Sequence, residues 1–232
     1  MRVRIYETIA QLTLLPHLFP VNCYLVDDDD GGFTLVDTGL PIAVGGILRA
    51  ADDLGKPVRR IVLTHAHQDH AGGLDRLKAA LPDALVYASA RTQRLLGGDF
   101  SLAAGEPTTP IRGRFPSVRA RADVLIEDGD LVDSLCAVAC PGHIPGQLCF
   151  YDPRCGALLT GDAAQTRGRF AVAGDSVRSF PWVAMATWDP ALAARSFRRM
   201  QESLPPVRYW MPGHGDVLET CGLPTGKDGR ER

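Results

Sequence analysis

Three histidines and one aspartate fall within six consecutive residues, His65-Ala66-His67-Gln68-Asp69-His70, in a chain that holds six histidines in all. Neutral imidazole nitrogens and carboxylate oxygens suit a divalent cation of borderline hardness, and one loop can aim alternate side chains at two adjacent points. A single tetrahedral ion cannot use every donor of this turn, so the pattern points to two ions, which need further ligands from elsewhere. The chain offers His143 in Cys140-Pro141-Gly142-His143, Asp162 in Leu159-Thr160-Gly161-Asp162 and His214 in Met211-Pro212-Gly213-His214-Gly215. Each follows an apolar run and a glycine, where the end of a strand can turn a side chain into a cleft. His17, between Pro16 and Leu18, lies outside the pattern and reads as a packed or surface residue.

Elements must bring these positions together. Short β-branched and aliphatic runs predict strands over 3–6, 22–26, 33–36 and 60–63, with a helix over 42–53. The donor-rich block follows Ile61-Val62-Leu63-Thr64 and precedes Ala71-Gly72-Gly73, which places it on a strand-to-helix loop. Helical spacing over 74–81 stops at Pro82, and strands are expected over 84–88, 131–139, 147–151 and 157–160. A helix over 191–204 and a strand over 208–211 lead to His214. Asp27 to Asp30 followed by Gly31-Gly32 reads as a solvated hairpin turn. The stretches 97–122 and 165–190, rich in glycine, proline and arginine, read as irregular surface segments. Without strict strand-helix alternation, the pattern by itself reaches a mixed α and β domain, expected over 1–220 with a polar tail over 221–232.

Composition narrows the class. A chain of 232 residues with 45% hydrophobic and 22% charged residues has enough material for a real core. Lys and Arg total 25 against 27 Asp and Glu, a net charge of −2, so no basic field gathers nucleic acid. The first 26 residues mix Arg2, Arg4, Glu7 and Gln11 into their apolar positions, a poor signal peptide and a worse membrane span. A soluble cytoplasmic protein without a membrane partner is expected. Six cysteines with no Cys-x-x-Cys pair read as buried thiols, Cys136 and Cys140 included.

In order along the chain, Val36-Asp37-Thr38-Gly39, the block from His65 to His70, Gly142-His143, Gly161-Asp162 and Gly213-His214 resemble the metallo-β-lactamase superfamily, over nearly the whole sequence. The resemblance implies an α+β fold: a four-layer αββα sandwich, two mixed β-sheets face to face with helices outside. It implies a binuclear metal centre on one edge. His65, His67 and His143 would hold the first ion, Asp69, His70 and His214 the second, and Asp162 would bridge them. Two divalent cations are expected as cofactors, zinc first, with iron or manganese compatible with the same donors. Asp37 matches the family's early aspartate and is expected to hold a ligand imidazole or its loop.

Function follows from such a centre. Metal ions lower the pKa of bound water to about 7, so a bridging hydroxide can attack a carbonyl carbon without any serine or cysteine nucleophile. Asp69 would orient that hydroxide or pass on its proton, the one catalytic role assigned beyond metal binding. Two dications against two carboxylates and a hydroxide leave net positive charge, which favours an anionic small-molecule substrate. The expected activity is hydrolysis of an ester, thioester or lactone of a small metabolite. A mononuclear iron persulfide dioxygenase of the same fold, using His65 or its neighbours with His143 and Asp162, is the alternative. A binding module with a purely structural metal fits less well, since structural zinc sites are closed and sulfur-rich.

Departures from family patterns refine the expectation. The bridging position is Asp162 and not the cysteine of the best-known zinc β-lactamases. The chain after His214 is too short for the C-terminal helical domain of full-length glyoxalase II. Gln165 stands where acyl-homoserine lactonases carry a tyrosine. Substrate recognition is expected from Arg167, Arg169, Arg178, Phe180, Trp182 and Trp188, whose arginines could hold a carboxylate and whose aromatics could hold an acyl chain. An apolar loop over 14–21 is expected to overhang the same edge.

Overall fold

The computed structural model describes residues 1–220; the polar tail expected over 221–232 lies outside the described residues, as does Cys221. Four antiparallel neighbours open the chain: β1 (Arg2–Tyr6), β2 (Ile9–Leu14), β3 (Val21–Asp27) and β4 (Phe33–Val36). Helix α1 (Val44–Asp53) then carries the chain to β5 (Val58–Val62), which pairs with β4 in parallel. Helices α2 (Gln68–Ala71) and α3 (Leu74–Ala80) lead to β6 (Leu85–Ala88), and α4 (Ala90–Leu96) precedes β7 (Val124–Leu125). These strands form one seven-stranded sheet in sequence order, antiparallel in its first half and parallel in its second.

The second sheet takes β8 (Leu131–Val132), β9 (Leu135–Ala139), β10 (Leu148–Asp152) and β11 (Ala157–Gly161) as an antiparallel meander. A small ribbon, β12 (Ala164–Gln165) with β13 (Ala171–Val172), and helices α5 (Trp182–Ala186) and α6 (Pro190–Ser203) follow. β14 (Tyr209–Pro212) then pairs in parallel with β11, and β15 (Leu218–Glu219) closes the edge.

Side-chain alternation assigns the layers, because successive residues of a strand face opposite sides. From β3, Cys23 and Leu25 face α1 and α3, packing with Ile47, Leu74 and Leu77. Tyr24 and Val26 face the other way and meet Phe150, Leu159 and Met211 of the second sheet. Cys149, Tyr151 and Leu158 point outward from that sheet onto Phe197 and Met200 of α6. Helix, sheet, sheet and helix are therefore stacked around three apolar interfaces, the expected αββα sandwich. Asp189 caps α6 by accepting the Leu192 N–H at 2.7 Å, and buried Ala193, Phe197 and Met200 define the face it lays on the sheet.

Several elements differ from the sequence reading. β2 and the short helices α4 and α5 were not expected; α5, with five residues, is too short to show helical periodicity. The strand expected over 131–139 is a hairpin that turns at Asp133, where φ is +52°. The acidic turn is only partly solvated: Asp28 is buried, and its Oδ2 accepts 2.8 Å hydrogen bonds from Thr34 and from Arg60. Among the described residues no helix is long and apolar enough to cross a membrane.

Candidate metal centre

All the donor loops leave the same edge of the sandwich. Asp37 follows β4, the block from His65 to His70 follows β5, His143 follows β9, Asp162 follows β11 and His214 follows β14. Cross-strand bonds pin these loops to each other. Thr64 O accepts the Leu148 N–H at 3.0 Å, and Gly161 O accepts the Gly213 N–H at 2.8 Å. Gly213 has no room for a side chain: a Cβ there would fall 2.5 Å from Asp162 Oδ1 and from a ring carbon of His70.

The structure brings all seven proposed ligands to one centre. His65, His67 and His143 offer nitrogens that lie within 4.8 Å of one another, as do the donor atoms of Asp69, His70 and His214. Asp162 sits between the two groups. Its Oδ2 is 3.5 Å from His143 Nε2 and 3.4 Å from His214 Nε2, and its Oδ1 is 3.3 Å from His70 Nε2. Six of the seven side chains are buried, while Asp69 is half-buried and faces the opening.

Each of the five imidazoles spends its outer nitrogen on an acceptor behind it. His70 Nδ1 donates to Asp37 Oδ2 at 2.7 Å, His214 Nδ1 to Pro20 O at 2.6 Å, and His67 Nε2 to Arg112 O at 2.9 Å. His143 Nδ1 donates to Thr187 Oγ1 at 3.0 Å, whose own proton goes to Val183 O at 2.7 Å. His65 Nδ1 donates to Thr64 Oγ1 at 2.9 Å, and that hydroxyl donates to Asp37 Oδ2 at 2.7 Å. These partners fix which nitrogen of each ring faces outward and turn the remaining nitrogens inward.

That arrangement fits metal cations. His67 Nδ1 is 3.1 Å from His65 Nε2 and 3.0 Å from His143 Nε2, so three lone pairs confront each other with no proton between them. His70 Nε2 and Asp162 Oδ1 are buried and engage in no hydrogen bond. Buried polar atoms are ordinarily satisfied, and a nitrogen-oxygen donor set of this kind is satisfied by divalent ions. Electrostatics agree. Burial, with the neighbouring imidazoles adding to it, keeps His65 and His143 neutral, His143 down to about 3. Burial opposes charge on His214 too, but Asp162 and Asp69 outweigh it and raise the ring to about 10. Burial would likewise raise Asp162, yet His214 and His70 hold it well below the carboxylate range. The two carboxylates thus draw positive charge into the centre.

Asp37 takes the orienting position expected for it. It accepts Thr64 N–H at 2.8 Å and Thr64 Oγ1–H at 2.7 Å besides the His70 bond, and it does so from a backbone φ of +61°, a strained value for a non-glycine residue.

A cleft of about 560 Å³ opens over the centre. Of the residues expected to recognise substrate there, only Trp182 lines it. Arg167 instead bonds His17 O at 3.2 Å, Arg169 bonds Phe170 O and Ser176 O, and Arg178 is exposed and does not line the cleft. Phe180 is buried behind the centre with its ring 5.1 Å from that of His214, and Trp188 is buried with its indole N–H on Thr109 O. The cleft arginine is Arg114, which sequence reasoning missed. It lies in the 97–122 excursion, whose backbone returns over the donors: Arg112 O holds His67 and Arg114 O accepts the Gln68 N–H at 2.8 Å. Glycine at 113, with φ +99°, was the available signal, since a Cβ there would lie 2.1 Å from His67 Nε2. From the 14–21 loop, Phe19 lines the cleft and packs 5.2 Å from the His214 ring; His17 is exposed. Cys23, Cys140 and Cys149 are buried, Cys136 and Cys155 half-buried, and all five are free.

Comparison with known proteins adds a family. The model of the metallo-beta-lactamase superfamily matches residues 17–214. YobT of Bacillus subtilis, an uncharacterised protein, is 43% identical over 95% of this chain and 94% of its own length. A hydroxyacylglutathione hydrolase of Cereibacter sphaeroides is 30% identical over 88% of this chain, which spans 66% of that enzyme. Among solved structures, a di-iron-bound form of TTHA1623 superposes with a TM-score of 0.66 at 30% identity, over 90% of this chain and 93% of the other. The DIM-1 metallo-beta-lactamase superposes with a TM-score of 0.70 over 94% and 91%, and at 19% identity shows the shared fold alone.

Proposed function

Because this chain belongs to the metallo-β-lactamase superfamily, whose members bind metal ions and are mostly hydrolases, we propose that it is a binuclear metal-dependent hydrolase cleaving an ester, thioester or lactone of a small metabolite. The observation that carries the proposal is the set of five imidazoles with every outer nitrogen engaged and the inner ones turned toward one another and toward Asp162 and Asp69. His65, His67 and His143 would hold one ion, Asp69, His70 and His214 the other, with Asp162 between them. Metal ions held there supply an ionised water near neutral pH and a Lewis acid for the carbonyl oxygen.

The chain's own residues do the rest. Asp69 is the carboxylate that meets the cleft, its side chain 23% exposed against 5% for Asp162. That position fits it to orient the attacking water and to take up its proton. Phe19, Trp182 and Val183 line the cleft and give the reacting carbonyl an apolar side. The hydroxyacylglutathione hydrolase relative, named for an acylated thiol, supports a thioester among the candidate substrates, and the di-iron neighbour supports iron beside zinc and manganese as the metal.

Chelator-stripped protein reloaded with zinc, iron or manganese and assayed on ester, thioester and lactone panels tests the proposal. Hydrolysis that requires metal and is lost in His67→Ala is expected. A panel left untouched, or a His67→Ala protein that behaves as wild type, would overturn it. One iron per chain with oxygen consumption on glutathione persulfide would move the assignment to a dioxygenase.

A further inference from the structure

The two sides of the cleft differ in chemistry. Arg114 is the one lysine or arginine among the described residues that line it, and no carboxylate pairs with its exposed guanidinium. Its place beside the donors is set by backbone: its own carbonyl takes the Gln68 N–H, and the carbonyl two residues earlier takes His67 Nε2. It therefore stands at the His67 end of the centre. At the His214 end the wall is apolar. Phe19 lies 5.2 Å from the His214 ring and 6.4 Å from Trp182. Trp182 and Met185, three residues apart on α5, share one face of the helix and leave 53% and 62% of their surface exposed in the cleft. Large apolar side chains held open beside buried polar donors mark a surface that a ligand covers.

We propose that this cleft recognises a two-armed substrate: an ester or thioester with a carboxylate on one arm, held by Arg114, and an apolar chain on the other, laid along Trp182 and Met185. The inference rests on the hydrolase reading and adds the substrate class to it. A planar guanidinium matches a carboxylate with two parallel hydrogen bonds. A single such group beside Asp69 and Asp162 balances one negative charge, which favours a monoanion over a phosphate dianion. The scissile carbonyl would lie between the arms, over the donors, so that each arm fixes the position of the bond from its own side.

Matched thioesters of 3-mercaptopropionate test this on the metal-loaded protein. The S-hexanoyl thioester is compared with its methyl ester, which removes the charge, and with the S-acetyl thioester, which shortens the apolar arm. Wild type is expected to prefer the charged substrate in kcat/KM by about 10- to 100-fold, the range of a charge-assisted hydrogen bond. In Arg114→Gln that ratio should fall below about threefold, mostly through KM, and Arg114→Lys should restore part of it. Trp182→Ala with Met185→Ala should flatten the preference for hexanoyl over acetyl. Metal content, measured for each variant, should stay at the wild-type level. A charge preference that survives Arg114→Gln would overturn the proposal. Calorimetric binding of the inert thioether 3-(hexylthio)propionate separates the two readings. If no thioester is turned over yet the thioether binds and Arg114→Gln weakens it tenfold, recognition stands and the hydrolase reading falls. Thioether binding indifferent to Arg114 and Trp182 would remove the recognition proposal itself.

Discussion

Nε2 of His67 lies 2.9 Å from the backbone carbonyl oxygen of Arg112, forty-five residues further along the chain. An irregular surface excursion thereby becomes part of the donor cluster, because that one bond fixes which nitrogen of His67 faces inward.

Gly113 follows from this relationship. A methyl group at 113 would fall 2.1 Å from His67 Nε2, and the backbone there sits at φ +99°, which side chains rarely adopt. Gly113→Ala should displace the carbonyl strap and free His67 to change tautomer. Metal affinity measured by chelator competition is expected to drop about tenfold or more while the far-ultraviolet spectrum is kept. Unchanged affinity would show that the strap does not position the ring.

Asp37 supports His70 and, through Thr64, His65. Replacing it as Asp37→Ala leaves the Thr64 N–H and the outer nitrogen of His70 without partners, at roughly 1–3 kcal/mol for each buried group. We expect reduced thermal stability together with a fall of about 10- to 100-fold in metal affinity. Asp37→Asn, which keeps the shape, should recover more of the stability than of the affinity. Equal recovery of both would contradict a role in orienting the ring.

Thr187 carries the corresponding role for His143, taking its Nδ1 proton and passing its own to Val183 O. Thr187→Val preserves volume but removes the hydroxyl. Weaker metal binding in Thr187→Val, without loss of the folded spectrum, is the expected result of an equilibrium titration.

Away from the centre, Asp28 offers a pH test. Burial pushes its carboxyl up to about 6, despite hydrogen bonds from Thr34 and Arg60 that act the other way. The folded state then holds this proton to higher pH than the unfolded chain, so the contribution to stability falls as pH rises from about 4 to 6. Asp28→Asn, which cannot ionise, should gain on wild type over that interval. Melting curves at pH 5 and 7.5 should show the difference in Tm shifting in its favour by a few degrees at the higher pH, and a constant difference would contradict the sign.

Much of this was legible in the sequence because each donor segment follows an apolar run and a short punctuating residue: Thr64 before His65, and the glycines Gly142 before His143, Gly161 before Asp162 and Gly213 before His214, mark where strands stop. The sandwich itself was reached through the family resemblance, since mixed alternation alone left the number of layers open. The cleft walls were not legible. Arg114 is placed by backbone hydrogen bonds from an irregular segment, and no periodicity in residues 97–122 reports them. Arg167 and Arg169 follow Asp162 closely on the chain, yet their guanidinium groups bond the carbonyls of His17, Phe170 and Ser176. Proximity along a loop carries little information about which way its side chains point. α5 escaped notice because five residues, Trp182–Ala186, cannot display a helical repeat, and with it went the face that carries Trp182 and Met185.

The most direct measurement of the central claim is metal stoichiometry by mass spectrometry on wild type and Asp162→Ala, taken with turnover on one hydrolysed substrate. Two ions per chain in wild type, with occupancy and turnover falling together in Asp162→Ala, is the predicted result. Full occupancy with undiminished turnover in that variant would contradict the account.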